Sequence, residues 1–433
     1  MKRILTIPVF TFIAMVALLP SCRKEIGSLN SPIIEDYTNA SKAQLNNLVS
    51  GTESGMRNNY AMYLDVVGLI GREMYRFSQA DPRYLSDLLG AGTAVLDNNT
   101  FYLTNPWASR YRVVKNCNIL ISAANSSVLL TNGEKIGYLG FAKTIKAYQL
   151  LLNLNLTYTN GIRVQVEDAE NLGPILGYPE SLTAIATLLD EAKTDLTGAD
   201  IPFPLSSGFT GFKSANGLLQ FNRALAARVA VYRQQWATAL TALTESFLDI
   251  NGDFNKGIKH VFGTGSGDQL NAAFFPQNEG GEVRLAHPSY STDIAAGDDR
   301  IGKATLRNAA ATSSGLSSNR DVWVYTSSTA PVPLIRNEEL ILIYAEAKIN
   351  TNVLADAVTA LNKIRAGHNQ LPYAGAVTQA ALINELLYQR RYSLFFEGHR
   401  WVDMRRYNRL NQLPIDRTGD DVWDKFPLPL TEQ

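Results

Sequence analysis

The sequence predicts a mostly α-helical fold with a few short strands, on three observations. Long segments carry apolar residues at helical spacing, several of them have Ala-rich faces, and two intervening stretches lose that period altogether. The 433 residues are ample for a sizeable interior. At 45% hydrophobic and 18% charged, the chain is neither a disordered tail nor a polytopic membrane protein. Forty Lys plus Arg balance forty Asp plus Glu, so the broad positive field that a phosphate backbone requires is missing, and nucleic acid is not an expected partner.

At the N-terminus, Met1-Lys2-Arg3 precedes the uncharged run Ile4 to Pro20, which ends in Ser21-Cys22 and then Arg23-Lys24-Glu25. A basic start, a short apolar run and a small residue make a secretory signal over residues 1–21. The run is short for a permanent span, and Pro8 and Pro20 weaken it as a helix. Leu19-Pro20-Ser21-Cys22 resembles a bacterial lipobox, which implies that Cys22 is acylated, becomes the mature N-terminus and ties the chain to a membrane. With Cys22 so used, Cys117 is the other cysteine of the chain and no intrachain disulfide can form. Residues 22–38 are polar, carry Pro32 and read as a tether, leaving 39–433 as the body.

Within the body, Ser41-x-x-Gln44 fits a capping box that opens a helix to about Met56. Further helices are expected at Glu134–Leu156, Ser181–Leu196, Ala215–Tyr232, Trp236–Phe247, Leu334–Ile349, Leu354–Ala366 and Gln379–Phe396. Short links join 215–232 to 236–247 and 334–349 to 354–366, which suggests antiparallel hairpins stacked in a repeat-like manner, although no fixed period is present. The two stretches without helical period are 58–107 and 251–333. The second is rich in Gly, Ser, Asn and Asp, and in it Val322-Trp323-Val324-Tyr325 alternates as a short strand would. These are expected to be loops that carry recognition groups on a helical scaffold.

The C-terminal half contains the run from Ile383 to Arg406, whose core is Phe396-Glu397-Gly398-His399-Arg400-Trp401-Val402-Asp403. Before it stand Leu334 to Ala347, Leu361-Asn362-Lys363-Ile364-Arg365 and Asp299-Arg300-Ile301. Looser matches are Trp107-Ala108-Ser109-Arg110-Tyr111 and Asn116 to Leu120. With these motifs the chain resembles the SusD/RagB family of outer-membrane nutrient-uptake lipoproteins of the Bacteroidota. The resemblance implies a SusD-like core of tetratricopeptide-like hairpins with an irregular ligand-facing region. It also implies a surface-exposed, lipid-anchored position at the outer membrane, and a SusC-like TonB-dependent barrel as partner for delivering glycans or, in some members, peptides. Gln389 and Ser393 stand where the family has Glu, so a family ion pair is expected to be missing. Read from the residues themselves, Arg390, Glu397, Gly398, Arg400, Trp401 and Asp403 form a structural set. Gly398 ends the helix, and Glu397, Arg400 and Asp403 pin the turn around Trp401.

Chemistry is sparse. The four histidines, His260, His287, His368 and His399, are scattered, and no zinc, nucleophile-elbow or phosphate-loop motif is present. Asp298-Asp299 is an adjacent acidic pair, and Asp249, Asn251, Asp253 and Asn255 recur at calcium-loop intervals. Phe254 and His260, however, occupy the positions of the loop's Gly and Glu. The chain is therefore expected to be a binding protein without cofactor or metal, not an enzyme. The alternatives are a peptide-capturing relative, a surface glycoside hydrolase and a purely structural partner. A sugar is received by an aromatic platform edged with amides, carboxylates or guanidinium groups. The candidates in the irregular segments are Tyr75 and Trp107 as platforms with Arg72 and Asn105 as edge donors, joined by Tyr84, Tyr102, Tyr290, Trp323 and Tyr325.

Overall fold

In the computed structural model residues 37–432 are described, so the expected signal segment, Cys22 and nearly all of the expected tether lie outside the described residues. Helix α1 (Lys42–Gly55) opens on the expected capping box, in which the Ser41 backbone N–H and hydroxyl both reach Gln44 Oε1. Helix α2 (Tyr60–Ile70) and the first turns of α3 (Phe101–Ser126) fall inside the stretch expected to be irregular. The reason differs for each. Helix α2 is buried on nearly every side and so has no polar stripe, while Pro106 interrupts the helical signal of α3 by removing the N–H that would bond the Tyr102 carbonyl.

Helix α4 (Asn132–Thr157) is capped reciprocally by Thr131 and Glu134 and, Lys143 apart, is buried from Gly137 to its end, because it lies between α3 and α5 (Tyr178–Leu196). Helices α6 (Ala215–Tyr232) and α7 (Trp236–Thr244) pair as expected. So do α9 (Asn337–Asn350) and α10 (Leu354–Gly367), which α11 (Gln379–Ser393) joins in a core of Ile341, Leu342, Ala345, Leu361, Ile364, Leu382 and Leu386. These contacts gather everything from Thr38 into one unit.

The stretch 251–333 is more ordered than its composition suggests. Strands β2 (Ile162–Arg163) and β3 (Ile175–Leu176) make a short antiparallel pair between α4 and α5, and the short helix α8 (Pro288–Asp293) lies in the stretch 251–333. Strands β4 (Gly257–His260) and β8 (Val332–Arg336) pair antiparallel, so Leu334 to Arg336 are strand rather than the start of a helix. Strands β1 (Met74–Phe77), β5 (Val283–Ala286), β6 (Ala304–Ser313) and β7 (Leu316–Val322) form a sheet in the order β1-β5-β7-β6. The β6–β7 turn is Ser314-Gly315, both at positive φ, which suits the twist of a two-residue hairpin. The expected strand over 322–325 is corrected: Val322 ends β7, and Trp323 to Tyr325 lie beyond it. Among the described residues no helix is long and apolar enough to cross a membrane.

Candidate functional site

A cleft of about 440 Å³ opens where the α1–α2 link, α2, β1, β5, α3 and the loop 262–275 meet. Its floor is set by one residue. Asp65 is the single charge in the otherwise apolar α2 and is 1% exposed. Arg76 on β1 and Arg284 on β5 stand directly opposite each other in the antiparallel pair, an arrangement that two like charges alone would oppose. Asp65 resolves the conflict by accepting from Arg76 at 2.7 Å and from both Nε and Nη2 of Arg284, at 2.6 and 2.8 Å. Burial works against the Arg76 charge, but Asp65 outweighs it and holds that guanidinium above its ordinary range.

The two guanidinium groups thus fixed are platforms for rings. Arg284 lies 4.1 Å and Arg76 5.1 Å from the centroid of the half-buried Phe275, and Arg76 is 4.7 Å from that of Tyr84. Polar groups edge the same cleft. Arg57 donates to the Val261 carbonyl at 2.7 Å and pairs with Asp268 at 2.5 Å, while Gln269 donates to Asn58 Oδ1 at 2.9 Å. Arg112, on α3, is exposed at the margin. Tyr84 is buried and Phe275 half-buried; a half-buried ring edged by amides and guanidinium groups can stack on the C–H face of a sugar while those groups bond its hydroxyl edge.

Of the aromatic and edge residues expected from sequence, Tyr84 lines this cleft; the others are placed elsewhere. Arg72 is buried and spends its guanidinium on the carbonyls of Pro414, Leu89 and Asp421, clamping the C-terminal strap. Tyr75 is buried against Phe77 and His287, with Asp416 on its hydroxyl. The Tyr102 hydroxyl donates to Asp87 at 2.9 Å, and Tyr290 donates to the Arg300 carbonyl at 2.8 Å, both from the interior. Trp107 is 4% exposed, packs on Tyr111 and donates to Glu432 at 3.3 Å; Asn105, on the same helix, is exposed. Trp323 is half-buried beside Phe274.

Tyr325 lines a second cleft, of about 670 Å³, whose charges are mostly turned on one another. His368 bridges Asp299 at 2.8 Å and Glu338 at 2.7 Å, Arg336 pairs with Glu338 and Glu397, and the Tyr325 hydroxyl donates to the Phe396 carbonyl. Burial, then the neighbouring Arg336, lowers Lys303 there to about 8. That network is scaffold chemistry.

The C-terminal motif residues are also structural, with one rearrangement. Helix α11 stops at Ser393, and Phe396 and Gly398 take positive φ before α12 (Arg400–Arg406). At Gly398 a Cβ would lie 3.2 Å from the Tyr63 ring. Asp403 accepts from Arg390 at 2.6 Å and Arg406 at 2.9 Å, and these cations hold its carboxyl down at about 2 against the pull of burial. Glu397 instead pairs with Arg336, so the expected Glu397–Arg400–Asp403 set divides. Burial, then repulsion from Arg391, lowers Arg400 to about 10. Trp401 is buried and donates to the Trp423 carbonyl at 2.8 Å. Where the family's Glu is replaced, Arg300 pairs with Asp298 and donates to Ser393 Oγ at 2.8 Å, and Gln389 bonds Glu385 and Gln370. In the calcium-like run, Asp249 and Asp253 accept from the backbone of Asn251 and Asn255 in local turns. Among the described residues no group of three His, Cys, Asp or Glu could hold a metal.

Comparison with known proteins agrees with the motifs. Residues 295–425 match the SusD family, and the Ile383–Arg406 run lies inside that match. A SusD superfamily protein from Bacteroides vulgatus has the same fold, with a TM-score of 0.68 at 15% identity, over 90% of this chain and 96% of its own. A SusD-like carbohydrate binding protein from the same organism matches at TM-score 0.65 and 16% identity, over 84% of this chain and 83% of its own. A surface glycan-binding protein A from Bacteroides uniformis matches at 0.63 and 14%, over 85% and 88%. No curated protein matches the chain in sequence. The described chain has the SusD fold, and the resemblance read from its C-terminal motifs is borne out.

Proposed function

We propose that the protein is a cell-surface binding lipoprotein that captures oligosaccharides or polysaccharides and delivers them to a SusC-like, TonB-dependent outer-membrane barrel. In this reading residues 1–21 are a signal peptide, the lipid sits on Cys22, 22–38 is the tether and 39–433 is the receptor body. The observation that carries it is the Asp65-centred cleft, where Phe275 and Tyr84 lie on fixed guanidinium groups beside Gln269 and Asn58. Two proteins of like fold are described as carbohydrate- or glycan-binding, which supports the same class of ligand. The mechanism is retention rather than bond making. A tethered site that holds a chain beside a pore raises its effective concentration there, so modest affinity is sufficient.

Binding isotherms against a glycan panel and a peptide panel test the ligand class. Glycans should bind, and Phe275→Ala should weaken them roughly fivefold or more, a stacked ring being worth about 1–3 kcal/mol. Binding of peptides alone would overturn the carbohydrate assignment, and sustained release of new reducing ends by the purified protein would overturn the non-enzymatic one. Cys22→Ala should free the protein from membranes on fractionation; stable retention of that variant would remove the lipid anchor.

A further inference from the structure

We infer that the cleft selects an anionic glycan, one bearing a sugar-acid carboxylate that Arg112 receives. This narrows the glycan reading given above and rests on it.

The chain as a whole is electrically balanced, with forty basic and forty acidic side chains. Against that background the cleft concentrates one sign: Arg57, Arg76, Arg112 and Arg284 line it together with the single carboxylate Asp65. Three of the cations are engaged within the protein. Arg284 takes two bonds to Asp65 and one to the Ala272 carbonyl, Arg76 has Asp65 and Glu282, and Arg57 has Asp268. Arg112 differs, since it is exposed and makes no hydrogen bond or ion pair among the described residues.

The site therefore offers aromatic surface, edge groups such as Gln269 and Asn58, and a guanidinium without a counter-charge. A neutral sugar would use the first two. A carboxylated sugar uses all three, because the planar fork of arginine matches a carboxylate through two parallel N–H···O bonds.

The test uses the full chain and oligosaccharides in matched pairs, each uronic-acid oligomer beside its carboxyl-reduced, neutral counterpart, with a sulfated oligomer as a third arm. The acidic member should bind roughly tenfold more tightly at low salt, with the gap narrowing as salt screens the exposed Arg112. Arg112→Gln should remove that preference by bringing the acidic member down to the affinity of its neutral counterpart, with the melting temperature unchanged, and Arg112→Lys should restore only part of it. Equal binding of acidic and neutral members, equal affinity of Arg112→Gln for the acidic one, or preference for sulfate over carboxylate would each overturn the inference and leave glycan capture standing. Failure of every glycan, with or without peptide binding, would instead overturn the reading on which it rests.

Discussion

Glu73 makes the stability of this fold depend on pH in a direction opposite to that of most carboxylates. It lies between α2 and β1, 5% exposed, and its Oε1 finds no hydrogen-bond partner. Burial raises its pKa from the ordinary 4.5 to about 8, in spite of Arg400 and the Phe396 backbone, which pull it down. Below pH 4.5 the carboxyl is protonated whether the chain is folded or not, and its full contribution is present. Between 4.5 and 8 the unfolded chain releases the proton while the folded chain keeps it, so stability falls by about 1.4 kcal/mol per pH unit and then levels off. The gap from 4.5 to about 8 corresponds to about 5 kcal/mol, an upper figure because water penetration and relaxation reduce it. Glu73→Gln preserves the shape and cannot ionise. Urea denaturation at a series of pH values should therefore find the two proteins alike near pH 4.5 and the variant several kcal/mol more stable at pH 8 and above. Parallel stability curves across that range would refute the reasoning, since they would mean that Glu73 changes charge equally in both states.

Three other substitutions have defined outcomes. Asp298→Ala strips a buried guanidinium, Arg300, of its charged partner and leaves it Ser393 Oγ and the Gln389 carbonyl, so denaturant midpoints should register a loss of about 3–5 kcal/mol. Trp107→Ala empties a core position and should cost about 3–5 kcal/mol by the same measure while leaving the ligand affinity of the folded protein intact; a lost affinity at unchanged stability would restore Trp107 to the site. Asp65→Asn leaves Arg76 and Arg284 facing each other across the β1–β5 pair without a carboxylate between them. Its effect should appear both as a stability loss of about 3–5 kcal/mol in denaturant and as weakened glycan binding, and a change in neither would remove Asp65 as the organiser of the cleft.

How much of this was visible in the amino-acid order depends on the range over which the signal is written. The capping boxes at Ser41 and Thr131 and the short links of the helical hairpins α6–α7 and α9–α10 are local, and their positions follow from the spacing of a few residues. Helix α2 was hidden because it is apolar all round, and α3 because Pro106 breaks its pattern. The β6–β7 hairpin was hidden for another reason: β6 is small, polar and largely exposed, and β7 buries Ser318 and Asp321 as well as Leu316 and Val322, so neither shows the apolar–polar alternation that marks a half-buried strand in sequence. Ser314-Gly315 was the one local cue to it.

The residues of the candidate site illustrate a stricter limit. Tyr75, Tyr102 and Trp107 were attractive because they are aromatic and lie in an apparently irregular segment, yet each packs inward once that segment proves to be ordered around α2, β1 and α3. A ring becomes a platform through what lies beneath it, and for Phe275 that is two arginines drawn from different strands and held by an acid on a helix far away in sequence. The lone Asp65 in an apolar run was the usable hint, since a buried charge requires a partner and the partner identifies the neighbouring element. The same construction accounts for how the cleft can be open and still precise. Arg76 and Arg284 are fixed by a buried carboxylate before any ligand arrives, so these two side chains lose little conformational freedom on binding, while Arg112 stands exposed at the margin.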